Sequence, residues 1–156
     1  MGKRSMSYQN HGLVSAVLKQ KSSELWSIAP EATVFDAIQL MAEKNIGALL
    51  VMNGELLLGI VSERDYTRKV ALKGKSSKDT RVGEIVSAPV VSATPAHTVE
   101  DCMRLMTGNR VRHLPILEHQ KPIGIVSIGD LVSWIISVQS MTIDQLENYI
   151  SGQYPG

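Results

Sequence analysis

Apolar residues along this chain follow two spacings, one of strand period and one of helix period, and the pair comes round twice in the same order. Leu25-Trp26-Ser27-Ile28 and Val90-Val91-Ser92-Ala93 are short apolar runs stopped by Pro30 and Pro95, which predicts strands. Thr33-Val34-Phe35-Asp36 and Thr98-Val99-Glu100-Asp101 each set an acid three places after a hydroxyl residue, the start signal of a helix. The helices they open are apolar at Ala37, Leu40 and Met41 and at Cys102, Leu105 and Met106, one buried stripe each. Ala48–Met52 and Leu114–Leu117 predict further strands, returning as Leu57–Val61 and Pro122–Val126. Asn53-Gly54 predicts a type I′ turn between the first pair. A second helix follows in each series, Tyr66–Leu72 and Leu131–Val138. Ahead of both series, Leu13–Leu18 is apolar at 13, 14, 17 and 18 and predicts a short helix. Behind them, Met141–Ile150 predicts a small amphipathic helix, apolar at 143, 146 and 150, that docks on the module or on a partner chain.

The two series are a duplication. Ser27–Leu72 lies on Ser92–Ser137 without a gap, 65 residues away, with identity at 13 of 46 positions. A gapless internal repeat predicts two similar supersecondary units, here β-α-β-β-α twice, and hence an α+β fold. A unit this small cannot hide its sheet alone. The expected architecture is therefore two units packed sheet to sheet with pseudo-twofold symmetry and helices outside. The expected divisions are a disordered or tag-like N-terminus at 1–12, one unit at 13–78, the second at 79–138, and a C-terminal helix and tail at 139–156. Between the units runs Lys73–Arg81, a basic, hydroxyl-rich loop.

Composition narrows the function classes. A chain of 156 residues with 44% hydrophobic and 20% charged residues suits a soluble globular protein. Its net charge of +1 lacks the basic excess of nucleic-acid binders. No apolar run approaches the ~20 residues that cross a bilayer, and Lys3 and Arg4 precede no apolar core of a secretory signal. Cys102 is the single cysteine, so no intramolecular disulfide forms, and the expected compartment is the cytoplasm, with neither nucleic acid nor membrane as partner.

Chemistry gathers at Gly59-Ile60-Val61-Ser62-Glu63-Arg64-Asp65 and its repeat, Gly124-Ile125-Val126-Ser127-Ile128-Gly129-Asp130. The plain account of Ser62 with Asp65, and of Ser127 with Asp130, is helix capping worth about 1 kcal/mol. The same geometry also makes an anion site of free N–H groups, and a carboxylate that can accept two hydrogen bonds from a vicinal diol. Gly59 and Gly124 clear space for a ligand or a second backbone. With Ile60 and Ile125 beside a base, these are the elements of a ribonucleotide site, present twice.

These residues resemble a known family. The doubled Gly-apolar-apolar-Ser-x-x-Asp turn, in two β-α-β-β-α units, is similar to a tandem pair of CBS domains, the Bateman module, and the likeness covers residues 13–138. Val111-Arg112-His113-Leu114-Pro115 resembles the family's basic-aliphatic-Pro strand, and Lys75–Thr80 the middle loop of stand-alone bacterial members. With no catalytic or channel domain alongside, the expectation is a free-standing sensor. The resemblance implies an adenosine ligand (AMP, ADP, ATP or NAD) in each of two clefts between the units. The Ser/Asp pair of one unit would hold the ribose, and the backbone before the first strand of the other would read the adenine. One implied site is Ser127, Asp130 and Ile125, with Arg112 toward phosphate and an adenine edge around Lys21–Ser23. The other is Ser62, Asp65 and Ile60, with Arg64 and Arg68 toward phosphate and an adenine edge around Ser87–Ala88. The implied role is non-catalytic: signalling cellular energy or redox state to an effector protein. Exposed helical faces add the expectation of a C2 homodimer. The sites should be unequal, because Arg112-His113 stands where the first unit has Gly47-Ala48, and Ile128-Gly129 where it has Glu63-Arg64.

Other residues carry plainer readings. Arg64, Arg68 and Lys69 form either a solvated charged face or phosphate contacts. Alternation along a strand puts only one of Arg112 and His113 on a given side, and Arg112 is the one expected to face ligand. His97 and Cys102 lack the further ligands of a metal site, and Cys102 matches Ala37 as a small core residue. Neither motif serine has a matched histidine for nucleophilic catalysis, and there is no P-loop. Two other functions stay open: a small nucleotide-converting enzyme, for which Asp65 and Asp130 stand without a second carboxylate cluster, and a structural adaptor in which the turns are only caps.

Overall fold

The computed structural model of the chain describes residues 11–21, 24–87 and 90–150. Its first half runs α1 (Val14–Gln20), β1 (Ser27–Ile28), α2 (Val34–Lys44), β2 (Ala48–Asn53), β3 (Leu56–Ser62) and α3 (Glu63–Tyr66), the last prolonged by a π-helical turn at Thr67–Ala71. The second half runs α4 (Val82–Ile85), α5 (Val99–Asn109), β4 (His113–Glu118), β5 (Lys121–Ser127) and α6 (Ile128–Ile150). The duplicated α+β order read from the sequence recurs in the fold, except for the first strand of the second unit.

Helices α2 and α5 form where their caps and stripes place them. Thr33 Oγ1 accepts the Asp36 N–H at 3.1 Å, and Thr98 Oγ1 accepts that of Asp101 at 3.0 Å. Val34, Ala37 and Met41 are buried from α2, and Val99, Cys102 and Met106 from α5, so the lone cysteine is core as expected. Burial also pushes its thiol up to about 11. Both helices end on a left-handed residue, Asn45 at φ 55° and Arg110 at φ 56°. Asparagine tolerates this conformation, whereas arginine is held there at some cost.

Strand β2 pairs antiparallel with β3 (Leu50 opposite Ile60) and parallel with β1 (Ser27 opposite Leu50). In the second unit β4 pairs with β5, Pro115 opposite Ile125. The strand expected at Val90–Ala93 is reduced to a single bridge from Ala93 to Ile116. The chain turns away at once, because the Thr94 N–H donates to His97 Nδ1 at 2.9 Å rather than to the sheet. The first hairpin turns on Gly54-Glu55, where Gly54 alone has positive φ (62°), so the type I′ turn expected at Asn53-Gly54 does not form. Two successive left-handed residues occur instead in the second hairpin, at His119 (φ 52°) and Gln120 (φ 66°), where the sequence carries no glycine signal.

Ala48, Leu49, Leu50 and Val51 are all buried, so this strand is covered on both faces. Leu49 and Val51 join Val34, Ala37 and Met41 in one core. Leu50 and its partner Ile60 lie on the opposite face, and β3 meets β5 across it. The two cores exchange their leading helices. Val14 and Val17 of α1 pack with Val99, Leu114 and Leu131 of the second unit, while Val82 and Ile85 of α4 pack with Val34 and Val61 of the first. Matching backbone bonds fix the exchange: Val14 N–H to His97 O and Val82 N–H to Ala32 O, both 2.8 Å.

Helix α6 is continuous from Ile128 to Ile150, so the separate small helix expected at Met141–Ile150 is its last turns. The docking expected of that segment concerns side chains outside the described residues. Among the described residues no helix is long and apolar enough to cross a membrane.

Candidate functional site

Both motif turns are complete capping boxes, as the plain account has them. Asp65 N–H donates to Ser62 Oγ at 3.1 Å while Asp65 Oδ2 accepts the Ser62 N–H at 2.9 Å. Asp130 N–H donates to Ser127 Oγ at 3.0 Å while Asp130 Oδ2 accepts the Ser127 N–H at 2.7 Å. The caps do not exhaust the geometry, because each carboxylate stands at the mouth of its own cleft between the units. The cleft at Asp65 measures about 600 Å³ and that at Asp130 about 490 Å³, both within the ~300–1,000 Å³ range of small-molecule sites.

Each cleft has three walls. At Asp65 they are the β3–α3 turn, the residues Ser87, Val90 and Val91, and the α5–β4 corner of the other unit, Arg110 to His113. At Asp130 they are the β5–α6 turn, the residues Lys21, Glu24 and Trp26, and the α2–β2 corner, Lys44 to Ala48. Ile60 and Ile125 line their respective clefts. The third wall crosses between units, and this overturns one expectation. Arg112 lines the cleft of Asp65, not that of Asp130, joining Arg64 and Arg68. The reason is the pseudo-twofold: the corner that holds Arg112 faces the first unit's turn, and its repeat mate Gly47 takes the corresponding place beside Asp130. Alternation allowed only one of Arg112 and His113 on a given side, with Arg112 expected toward ligand, yet both line the Asp65 cleft. His113 lines both clefts, together with Gly47. A Cβ added to Gly47 would lie 3.6 Å from His113 Nε2, so the missing side chain at 47 leaves the room that the imidazole overlooks.

The carboxylates have different neighbours. Asp65 Oδ1 accepts from Ser87 Oγ at 3.1 Å and pairs with Lys69 Nζ at 3.2 Å. Lys69 Nζ also reaches Ile85 O at 3.0 Å, so it is turned inward and is not only part of a solvated face. Asp130 Oδ2 pairs with Lys21 Nζ at 2.6 Å, and the same ammonium donates to Ile125 O at 2.7 Å. Burial works to raise the Asp130 carboxyl, but the hydrogen bonds from Lys21 and the Ser127 N–H outweigh it and hold the group below the usual range. Burial holds the His113 imidazole below its ordinary value; Lys21 and Arg112 act in the same sense, and Asp130 and Asp65 oppose. Of the adenine-edge residues, Lys21 is placed at the Asp130 cleft, whereas Ser23 and Ala88 lie outside the described residues.

The glycines serve the protein's own packing. A Cβ on Gly59 would come within 2.3 Å of Ser87 O, and one on Gly124 within 2.6 Å of Leu18 Cδ2. The close approach expected there is made by a second backbone at Gly59 and by a side chain at Gly124. Cleft residues that the sequence did not single out are Lys44, Arg110 and Trp26. Lys44 Nζ sits 4.2 Å from the Trp26 ring centroid, and both line the Asp130 cleft. Asn45 and Arg110, in equivalent positions of the repeat, line opposite clefts.

Comparison with known proteins adds to this geometry. A family model described as CBS domain matches residues 14–72 and 82–137. The mitochondrial CBS domain-containing protein CBSX3 of Arabidopsis thaliana is 40% identical over 151 residues, covering 90% of this chain and 73% of that protein. The CBS domain-containing protein YhcV of Bacillus subtilis is 31% identical over 118 residues, covering 76% and 84%. Among solved structures, a protein with CBS domains from Burkholderia ambifaria superposes with a TM-score of 0.78 at 49% identity, covering 81% of this chain and 95% of that one. The CBS-domain containing protein ATU1752 from Agrobacterium tumefaciens gives 0.74 at 32% identity, covering 78% and 98%.

Proposed function

The chain belongs to the CBS-domain family, whose paired domains form regulatory modules, and on that footing we propose that this pair binds adenine nucleotides, without turning them over, in its two clefts. Occupancy then signals cellular energy or redox state to an effector protein. The observation that carries the reading is the composition of each cleft: an ordered carboxylate from one unit faces the helix–strand corner of the other across a space of ligand size. A ribose diol would replace Ser87 Oγ and Lys69 on Asp65 Oδ1, leaving Oδ2 in its cap. On Asp130 it would displace Lys21. Ile60 and Ile125 would flank the base.

The clefts suit different nucleotides. Arg64, Arg68, Lys69, Arg110 and Arg112 border the Asp65 cleft, against Glu63 and Asp65. Lys21 and Lys44 border the other, against Glu24 and Asp130. The excess of cations at Asp65 fits ATP, ADP or NAD, whose several phosphate charges it would neutralise. The balanced Asp130 cleft fits AMP. Val132 and Ile136 are exposed on α6 and give a C2 homodimer an apolar face to bury.

Calorimetry and thermal melts with adenosine, AMP, ATP and NAD, followed by analysis of the nucleotides, test the proposal. ATP and NAD should bind the wild type, and Asp65→Ala should abolish that binding while sparing AMP. Asp130→Ala should do the reverse. At a ligand concentration 100 times Kd the stabilisation should be about 2.7 kcal/mol. Product formation would make the chain an enzyme. Absence of any shift would make it an adaptor.

A further inference from the structure

We infer that His113 couples the two clefts, its imidazole passing the charge of a phosphate bound on one side to the ligand on the other. The inference rests on the nucleotide reading above and adds to it how the sites are regulated. Its basis is placement: of the cationic or titratable side chains around the clefts, His113 lines both. Its repeat mate is Ala48, so the device exists once and on one unit only.

Room for it comes from Gly47. The position a Cβ would take there is 3.6 Å from His113 Nε2 and 3.4 Å from Glu63 Oε1, and no side chain fills it. Charged groups line the two clefts from several elements. Lys21 follows α1, Lys44 ends α2, Glu63 and Asp65 open α3, Asp130 opens α6, and Arg112 precedes His113 itself. Two of these cations and two of these acids act on the ring in opposite senses, and burial, the largest influence, lowers its proton affinity. A phosphate arriving in either cleft adds negative charge and favours the protonated ring. The imidazolium then attracts an anion in the other cleft. Because the linkage runs through one proton, it is reciprocal. Its sign is positive between the pH at which the empty protein takes up that proton and the higher pH at which the occupied protein releases it, and it fades on either side.

The test is calorimetry on the full chain, titrating AMP with and without saturating ATP, at about pH 6 and about pH 8, in buffers of differing ionisation heat. At the lower pH, ATP should tighten AMP binding about 5-fold or more, with proton uptake. At the higher pH the ratio should approach one. In His113→Gln and His113→Ala the ratio should be near one at both pH values, and proton uptake should fall to what the phosphates themselves take. Wild-type binding at both clefts with a ratio of one throughout would overturn the coupling and leave the nucleotide reading standing. Coupling that persists in both variants would overturn it too. Loss of binding at one cleft in the variants, with proton uptake at the other unchanged, would make His113 a residue of that cleft alone and also overturn it. No binding by any nucleotide would overturn both readings together.

Discussion

Alanine in place of Gly59 should destabilise the protein far more than alanine in place of its repeat mate Gly124. The new Cβ at 59 would sit 2.3 Å from Ser87 O and 2.7 Å from Val86 Cγ2, where ordinary contact begins near 3.4 Å. A carbonyl oxygen cannot rotate aside, so the Val86–Ser87 backbone must move off β3. That movement breaks the Ser87 N–H to Ile60 O bond of 3.1 Å and withdraws Ser87 Oγ from Asp65. Overpacking costs about 1–3 kcal/mol and a lost backbone hydrogen bond about 1 kcal/mol. Alanine restricts the unfolded chain and returns about 0.4–1 kcal/mol. The net expectation is about 2–3 kcal/mol of destabilisation. At 124 the obstructing atom is Leu18 Cδ2, a methyl at the end of a rotatable, half-buried side chain. There the clash relaxes and the net cost should stay within about 1 kcal/mol. Urea unfolding of both variants, read as midpoint times slope, measures the difference, and thermal melts should separate by about 4–8 °C. Equal destabilisation, or a larger effect at Gly124, would refute the claim that Gly59 is fixed by backbone contact.

Two further outcomes follow from local geometry. His119 and Gln120 both hold positive φ in a two-residue hairpin turn, so His119→Asn with Gln120→Gly should stabilise the protein by about 1 kcal/mol, and a lowered melting temperature would contradict the turn assignment. The Asp101 carboxyl is held below its ordinary value, first by the Thr98 N–H it accepts at 3.1 Å, so its contribution is present above about pH 4 and is lost as pH falls through the lowered folded value. Asp101→Asn should lower the urea midpoint at neutral pH and flatten its acid limb; an acid limb as steep as the wild type's would argue against it.

Much of this was legible because the duplication speaks twice. Thr33 and Thr98 mark helix starts that the structure places one residue later, and the buried stripes fall on the residues of matching period. What could not be read was anything depending on which unit a residue faces. Arg112 belongs by sequence to the second unit, yet its corner closes the first unit's cleft, and spacing along a chain carries no sign of that crossing. The same holds for α1, whose apolar Val14 and Val17 need a core without specifying which. The Asn-Gly signal failed differently. The register pairs Asn53 with Leu56, which leaves Gly54-Glu55 as the turn, and pairing across the whole hairpin outweighed local propensity.

The helix exchange bears on how such a module would transmit a signal. Lys21 follows α1, which is packed into the same core as the turn carrying Asp130; Ser87 follows α4, packed into the same core as the turn carrying Asp65. Lys21 and the Asp130 turn therefore move as one body, as do Ser87 and the Asp65 turn, while Trp26 and Val91, further along the second walls, pack on the opposite cores. The third wall, the corner at 44–48 or at 110–113, belongs to the other body. A ligand held only by the turn and by Ser87 or Lys21 would leave the packing of the units unchanged, however tightly it bound, because it would not distinguish one packing from another. Contacts to the corner, or to Trp26 or Val91, are what can shift the units. The corners are unlike: Arg110, Arg112 and His113 on one, Asn45, Gly47 and Ala48 on the other. On the proposed reading, a phosphate-bearing ligand at Asp65 grips both bodies through the cationic corner, and one at Asp130 meets a corner with few groups to hold it. The Asp65 cleft is then where binding energy becomes a change of packing, and the Asp130 cleft acts on that change chiefly through His113.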